Sequence, residues 1–488
     1  RKCWNWWRIS FAIFKFRQGK GKTMTKEKQK ANKPLNPFVP LVLMVLACAI
    51  VSYFVIPGAY DRETVDGVTR VLADSYHATE RTPVSFFNIF RSIPEGLTAS
   101  ANMMFCVMLI GGIVEIYKRT DTVGAAINSV LKASERMSSQ VIIAVVMIVF
   151  FIFGGILGWS EHIIPFVPII VSLALSLGYD SLVGMAISGF ACLISFAVAP
   201  FNVYTVGISH TIAELPMFSG WELRIAALVC VWILSLIWVM RYAKKVKADP
   251  SKSLVKDVDT SSLRIPVDPG LKFDLPKKVS VISLTISILV TIYGILNLSW
   301  SYTEMAATFM IGGIVSAAIN RVNLDDGINM VLDGARGAFS GALIIGVARA
   351  VQWTMTNGGL VDPLVHGLSN LMRSASAYVS TVGMFIVNFF VNALIPSGSG
   401  QATAVMPIMV PLADMLHITR QTAVLAFQFG DGISNTFWFT NGTLLIYLSL
   451  GKVPLKSWYK FILPLHGLFL ILQLIFLFVA VQIGYGPF

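Results

Sequence analysis

The chain has 488 residues, of which 55% are hydrophobic and only 13% charged, with a mean hydropathy of +0.71. Soluble chains carry about 25% charged residues, so disorder, a coiled coil and an ordinary cytosolic enzyme are excluded, and an all-α polytopic membrane protein is expected. The net charge of +12 is gathered into two blocks: residues 1–36 hold eleven Lys/Arg against Glu27 alone, and residues 241–278 hold ten against five Asp. Membrane proteins keep such blocks in the cytoplasm, so no nucleic-acid partner is expected.

Residues 1–37 form a basic cytoplasmic segment. Within it, residues 1–23 are basic and aromatic and end just before Met24. They read as upstream sequence outside the native chain, the alternative being an interfacial amphipathic anchor. Spanning segments are predicted at 38–56, 99–117, 183–200, 222–240, 279–298, 303–319, 335–353, 422–439 and 461–482, where apolar runs approach the length that crosses a ~30 Å hydrocarbon layer as helix. Two further apolar pairs, 141–177 and 381–416, are interrupted by small polar kernels at 158–162 (GWSEH) and 396–401 (PSGSGQ). Polar backbone at membrane depth is tolerated only where it is buried in protein or lines a cavity. Both pairs are therefore expected to be re-entrant hairpins with the kernels at their tips. A cytoplasmic N-terminus places loop 58–95, with six acids against four Arg, outside, and every basic loop inside. The predicted organisation is a first repeat half at 38–240, a cytoplasmic linker at 241–278, and a bridging helix with the second half at 279–488. None of the five cysteines has metal-ligand spacing.

Self-comparison aligns residues 148–202 with 387–441 at a constant offset of 239, with 14 identities in 55 positions. Matched pairs include Ser160/Ser399, Pro168/Pro407, Ile194/Ile433, Ser195/Ser434 and Asn202/Asn441. One span between the halves inverts the second unit, and inverted repeats with broken helices place substrate and coupling ions near the bilayer midplane. The breaks are expected around 195–202, where Pro200 removes a backbone donor, and around 430–441, where Gly430 and Gly432 flank Asp431. Tips and breaks together predict one polar chamber.

Glu161 and Asp431 are intramembrane acids, which are functional-site candidates by default; either could hold a substrate ammonium, a proton or Na⁺. His162 is a candidate proton carrier or a structural cap of the hairpin. Ser397, Gly398, Ser399, Gly400 and Gln401 offer consecutive backbone N–H groups for an anion, with Pro200 beside them. Ser160, Asn202, Ser434, Asn435 and Asn441 complete the candidate site. Arg349, in an apolar span, is expected to pair with an acid such as Glu115 or to meet a carboxylate substrate. Trp159 and Trp438 read as packing. No ATP-binding, dinucleotide or zinc-protease motif occurs.

The run at 394–411 (LIPSGSGQATAVMPIMVP) and that at 419–435 (TRQTAVLAFQFGDGISN) resemble the YfcC-like branch of the C4-dicarboxylate anaerobic carrier family. So do Gly154-Gly155, Glu161, residues 165–168 (PFVP) and 178–182 (GYDSL), and residues 248–255 (ADPSKSLV). The resemblance covers roughly residue 36 to the C-terminus. It implies an inverted-repeat secondary carrier in which a domain of two hairpins and two broken helices moves past a scaffold. Members are described as dicarboxylate carriers or, in this branch, as basic amino-acid and arginine/ornithine antiporters. The chain departs from the branch at His162, where relatives carry a second acid, at Ala199-Pro200-Phe201 for Asn-Pro-Phe, and at 439–442 (FTNG) for Pro-Thr-Ser-Gly.

The expected function is secondary transport or exchange of a small carboxylate-bearing metabolite, foremost a basic amino acid, across a bacterial cytoplasmic membrane. A C4-dicarboxylate carrier is the rival of the same class. An intramembrane hydrolase using Ser160 or Ser399 with His162 is the rival of another class, but no third residue is spaced to orient the histidine. No cofactor is expected beyond coupling to H⁺ or to Na⁺ at Glu161 or Asp431. The expected partners are a small-molecule substrate and the lipid bilayer, with a homodimer left open.

Overall fold

The computed structural model describes residues 38–486 except 66–67, 72–74, 135, 266–269, 299 and 371–375. The expectations for residues 1–37 lie outside the described residues.

The described residues are mostly helical. Helix α1 (Phe38–Val51) leads into a loop holding two small antiparallel pairs, β1 (Gly58–Ala59) with β4 (His77–Ala78) and β2 (Arg62–Val65) with β3 (Val68–Val71). Then come α2 (Phe86–Ala99), α3 (Ala101–Arg119), α4 (Thr122–Ser134), α5 (Ser139–Gly155) and α6 (Val167–Ser176). Helix α7 (Ser181–Met185) continues through a π-helical turn, Ala186–Phe190, into α8 (Ala191–Phe196). A second π turn, Val203–Gly207, opens α9 (Ile208–Ile212), and α10 (Trp221–Ala248) follows. The second half comprises α11 (Leu275–Leu298), α12 (Tyr302–Ile319), α13 (Leu324–Asn357), α14 (Val361–Asn370), α15 (Ala377–Asn392), α16 (Gly398–Met415), α17 (Arg420–Ser434), α18 (Gly442–Leu450) and α19 (Leu455–Gln482). Among the described residues, six helices are long and apolar enough to cross a membrane: α3, α10, α11, α12, α13 and α19. This is an integral membrane protein.

Several boundaries differ from the sequence expectation. Residues 86–99, most of them in the loop expected outside, form α2, whose start is fixed by Ser85 accepting from Asn88 N at 3.2 Å. Its Arg91 and Glu95 pair with each other at i,i+4, which suits a helix as well as a loop. Gly430 and Gly432 do not break α17. They stay helical and serve close approach: a Cβ on Gly430 would lie 2.4 Å from Phe385 O on α15, and one on Gly432 2.2 Å from Ala197 Cα just beyond α8. The interruption falls later, at 435–441.

The aligned residues play matching local parts. Asn202 and Asn441 each cap the helical segment that restarts after an interruption, accepting from Tyr204 N at 2.9 Å and from Leu444 N at 2.9 Å. Ser195 and Ser434 each return a hydroxyl to the carbonyl three residues back, Cys192 O at 2.9 Å and Asp431 O at 2.6 Å. In both units the first hairpin arm packs on the interrupted helix, α5 on α8 through Gly154 and α15 on α17 through Gly430.

Two stretches far apart in sequence also meet. Asp180 caps α7 at Val183 N (2.9 Å) and accepts from Tyr242 and Ser253 hydroxyls, both at 2.6 Å. Ile265 N donates to Ser172 Oγ at 2.8 Å and Ser457 Oγ to Leu254 O at 2.7 Å. Residues 253–265, between α10 and α11, are thereby strapped across α6, the start of α7 and the start of α19.

Candidate functional site

The first tip is the turn between α5 and α6. Gly158 adopts a left-handed φ of +64°, which only glycine holds without strain, while facing Asn202. The turn presents Glu161, whose Oε1 accepts from Thr443 Oγ1 at 3.2 Å and whose Oε2 accepts from Ser160. The Tyr447 hydroxyl donates to Ser160 O. The tip of one half is thus fastened to α18 of the other.

The second tip is the N-terminus of α16. Ser397 is its cap, accepting from Gly400 N at 3.3 Å, and Gln401 N donates to Ser397 O at 2.7 Å. The N–H groups of Gly398 and Ser399, in the first helical turn, have no intrahelical partner. The N-terminus of α18, capped by Asn441, supplies a second set at Gly442 and Thr443.

Both tips and the second interruption line one cavity of about 400 Å³. Its wall holds one acid, Glu161, and one base, Arg349. Arg349 Nη1 donates to Gln352 Oε1 at 2.7 Å. The expected pairing with Glu115 does not form, because Glu115 packs beside Gly334, well before Arg349 along α13, and is taken by Lys118 at 2.6 Å and Arg119 at 3.0 Å. The two helix N-termini and Arg349 offer positive potential and unfilled donors to an anion. Glu161 offers the one negative charge.

Of the predicted residues, Ser160, Glu161, Ser397, Gly398, Ser399, Asn435 and Asn441 stand on this wall. Pro200, His162, Asn202, Gln401, Asp431 and Ser434 do not. Pro200 and Asn202 face away because the first interruption turns toward α17, and Asn202 is spent as a cap. His162 is buried in a ring stack, with Trp159 at 5.3 Å and Tyr302 at 5.0 Å between centroids. Gln401 donates to Asn388 O (3.0 Å) and Oδ1 (2.8 Å) behind the tip. Asp431 is completely buried, and its Oδ1 accepts from Asn392 Nδ2 at 2.8 Å.

Gly400 faces a second cavity of about 410 Å³, lined also by Arg62, Gln352, Asp362 and Thr403. Arg62 and Asp362 pair there at 2.6 Å. The two cavities lie back to back, parted by the first turn of α16 and the Arg349–Gln352 hydrogen bond.

One buried charge escaped the sequence reading. Arg224, in the first turn of α10, is fully buried and donates through Nε to Gln428 Oε1 at 2.8 Å, and Gln428 Nε2 donates to Ala199 O at 2.7 Å. An arginine thus reaches the freed carbonyl of the first interruption through one amide. The rule that singled out Glu161, an ionisable group at the edge of an apolar run, would have found it.

The chain matches the C4-dicarboxylate anaerobic carrier family over residues 36–482. It is 29% identical over 413 residues to the Escherichia coli K12 protein named "Putative basic amino acid antiporter YfcC", with 80% of this chain and 81% of that one covered. A Haemophilus influenzae protein described as uncharacterised is 28% identical over 416 residues, covering 84% and 81%. Among solved structures, the Alcanivorax borkumensis YdaH transporter aligns with a TM-score of 0.43 at 14% identity over 92% of this chain and all of that one. Neisseria gonorrhoeae MtrF, from a class described as antimetabolite efflux pumps, aligns with a TM-score of 0.42 at 13% identity, covering 92% and 95%.

Proposed function

The chain belongs to the C4-dicarboxylate anaerobic carrier family, and from that membership we propose that it is a secondary transporter or exchanger of amino acids in a bacterial cytoplasmic membrane. The observation that supports the amino-acid reading is the pairing of charges on the cavity wall. A carboxylate fits the donors at the N-termini of α16 and α18 together with Arg349, and an ammonium fits Glu161. A C4-dicarboxylate would set its second carboxylate against Glu161, where like charges repel. The name of the E. coli relative points the same way.

In this reading the hairpins α5–α6 and α15–α16 are re-entrant. Helices α5, α6 and α15 have 17, 10 and 16 residues, each shorter than any of the six helices long enough to cross. Glu161 and the tip of α16 hold the two ends of the substrate head group, and the remaining wall receives its side chain. Because only one acid stands on the wall, the second charge of a basic amino acid would rely on neutral oxygens such as those of Asn435 and Asn441.

Counterflow in proteoliposomes tests the proposal, using a panel of labelled amino acids and C4-dicarboxylates. Exchange of at least one amino acid, with dicarboxylates inactive, is the expected result. Exchange of dicarboxylates alone overturns it.

A further inference from the structure

Behind the second tip lies a buried polar cluster that the substrate cavity does not reach. Asn388 and Asn392 stand four residues apart on one face of α15. Gln401 of α16 donates to Asn388, and Asn392 donates to Asp431 of α17. All four side chains are completely buried.

Their orientations are fixed by these bonds. Reversing the Asn392 amide would set its oxygen against a carboxylate oxygen, and reversing Gln401 would set its oxygen against Asn388 O. So fixed, Asp431 Oδ2, Asn392 Oδ1 and Gln401 Oε1 each lack a hydrogen-bond donor, as does the hydroxyl of Thr205. Thr205 and Asp431 flank the same glycine: a Cβ on Gly398 would lie 2.6 Å from Thr205 Cγ2 and 3.4 Å from Asp431 Oδ2. Among the described residues, no cationic side chain pairs with Asp431.

Buried acceptors without donors are costly, and a buried unpaired carboxylate more so. Unpaired hard oxygens on side chains packed beside a buried carboxylate are the chemistry of a hard cation. One negative charge calls for one positive charge, since a divalent ion would leave its surplus buried. A proton would serve Asp431 Oδ2 and one neighbour and leave the other oxygens unsatisfied, whereas a coordinated ion serves several at once. We infer that Asp431, Asn392 and Thr205 bind a sodium ion behind the second tip.

Gly398 has one side on this cluster and the other on the substrate cavity. Filling the ion site therefore braces the backbone whose N–H groups face the substrate. Coupling of that kind is reciprocal: substrate raises sodium affinity by the factor by which sodium raises substrate affinity. This coupling rests on the transport reading, while the ion site stands on its own atoms.

The test is thermal unfolding of the purified full-length protein, titrated with NaCl against KCl and choline chloride at matched ionic strength, at two pH values. A ligand of the folded state raises the unfolding midpoint saturably. The expected result is a saturable rise with Na⁺ alone, abolished in Asp431→Asn and shifted at least tenfold to higher Na⁺ in Thr205→Val. Equal response to the three salts overturns the site, as does a midpoint that follows pH but not Na⁺, or a sodium response unchanged in Thr205→Val. If Asp431→Asn fails to fold, the wild-type titration and Thr205→Val decide alone. Sodium stabilisation without transport of any panel substrate would sink the transport reading and leave the ion site standing. Transport without sodium stabilisation would do the reverse.

Discussion

Glu161 is held by two hydroxyls and, among the described residues, by no cation, so its charge is available to whatever enters the cavity. Glu161→Gln keeps the shape and removes the charge. If it holds a substrate ammonium, amino-acid affinity falls by the worth of a charge-assisted hydrogen bond, ~1.5–3 kcal/mol, or roughly ten- to a hundredfold at ~1.4 kcal/mol per decade. Dicarboxylate affinity rises, because the repelling carboxylate is gone. Competition against labelled substrate in proteoliposomes measures both, and an unchanged amino-acid affinity returns Glu161 to a purely structural part. At Gly432 the issue is space. A methyl group there meets Ala197 Cα in the crossing of two helices, and Gly432→Ala is expected to cost about 1–3 kcal/mol or more. A Cβ on Gly337, also helical, meets nothing within 4 Å, so Gly337→Ala is expected to be neutral or slightly stabilising. Thermal unfolding of the two variants separates crowding from helix propensity.

At the scale of elements, two of the aligned pairs were legible because their residues do the same backbone work. Asn202 and Asn441 stand out in the alignment because each restarts a helix that hydropathy alone would have run through. Losing either cap is expected to cost about 1 kcal/mol, so Asn202→Ala and Asn441→Ala should lower the unfolding midpoint by similar amounts. A large effect at one and none at the other would mean that the two restarts are built differently. The strap was legible only as resemblance: GYDSL and ADPSKSLV look unrelated until Asp180 accepts from Ser253 and Tyr242. The places where the reading failed share a cause. Sequence marks Gly430 and Gly432 as breakers because glycine weakens helices in isolation, but it does not show the neighbouring backbones that need their missing side chains. It likewise placed Pro200 in the chamber without showing which way the first interruption turns. Spacing along a chain says nothing about which face of a buried helix meets a cavity.

The whole molecule places two cavities of similar size against one turn of helix, with Arg349 on one side of the partition and its partner Gln352 on the other. That feature bears on how the protein would respond to membrane voltage. If the two cavities open to opposite sides of the membrane, water filling them would conduct, so the potential would fall across the partition and not evenly through the bilayer. An elementary charge crossing the full potential gains ~2.3 kcal/mol per 100 mV, roughly fortyfold in an equilibrium at ~1.4 kcal/mol per decade. With the drop concentrated there, nearly all of that energy would act on the short step past the first turn of α16, and little on entry into either cavity. Exchange of two substrates of equal charge should therefore ignore an imposed potassium-diffusion potential, whereas net uptake of a zwitterion with a sodium ion should accelerate steeply when the interior is negative. Uptake measured at several imposed potentials distinguishes the two modes. A weak, graded voltage dependence of sodium-coupled uptake would mean that the field is spread across the protein and that the partition is thicker in the membrane than one helical turn.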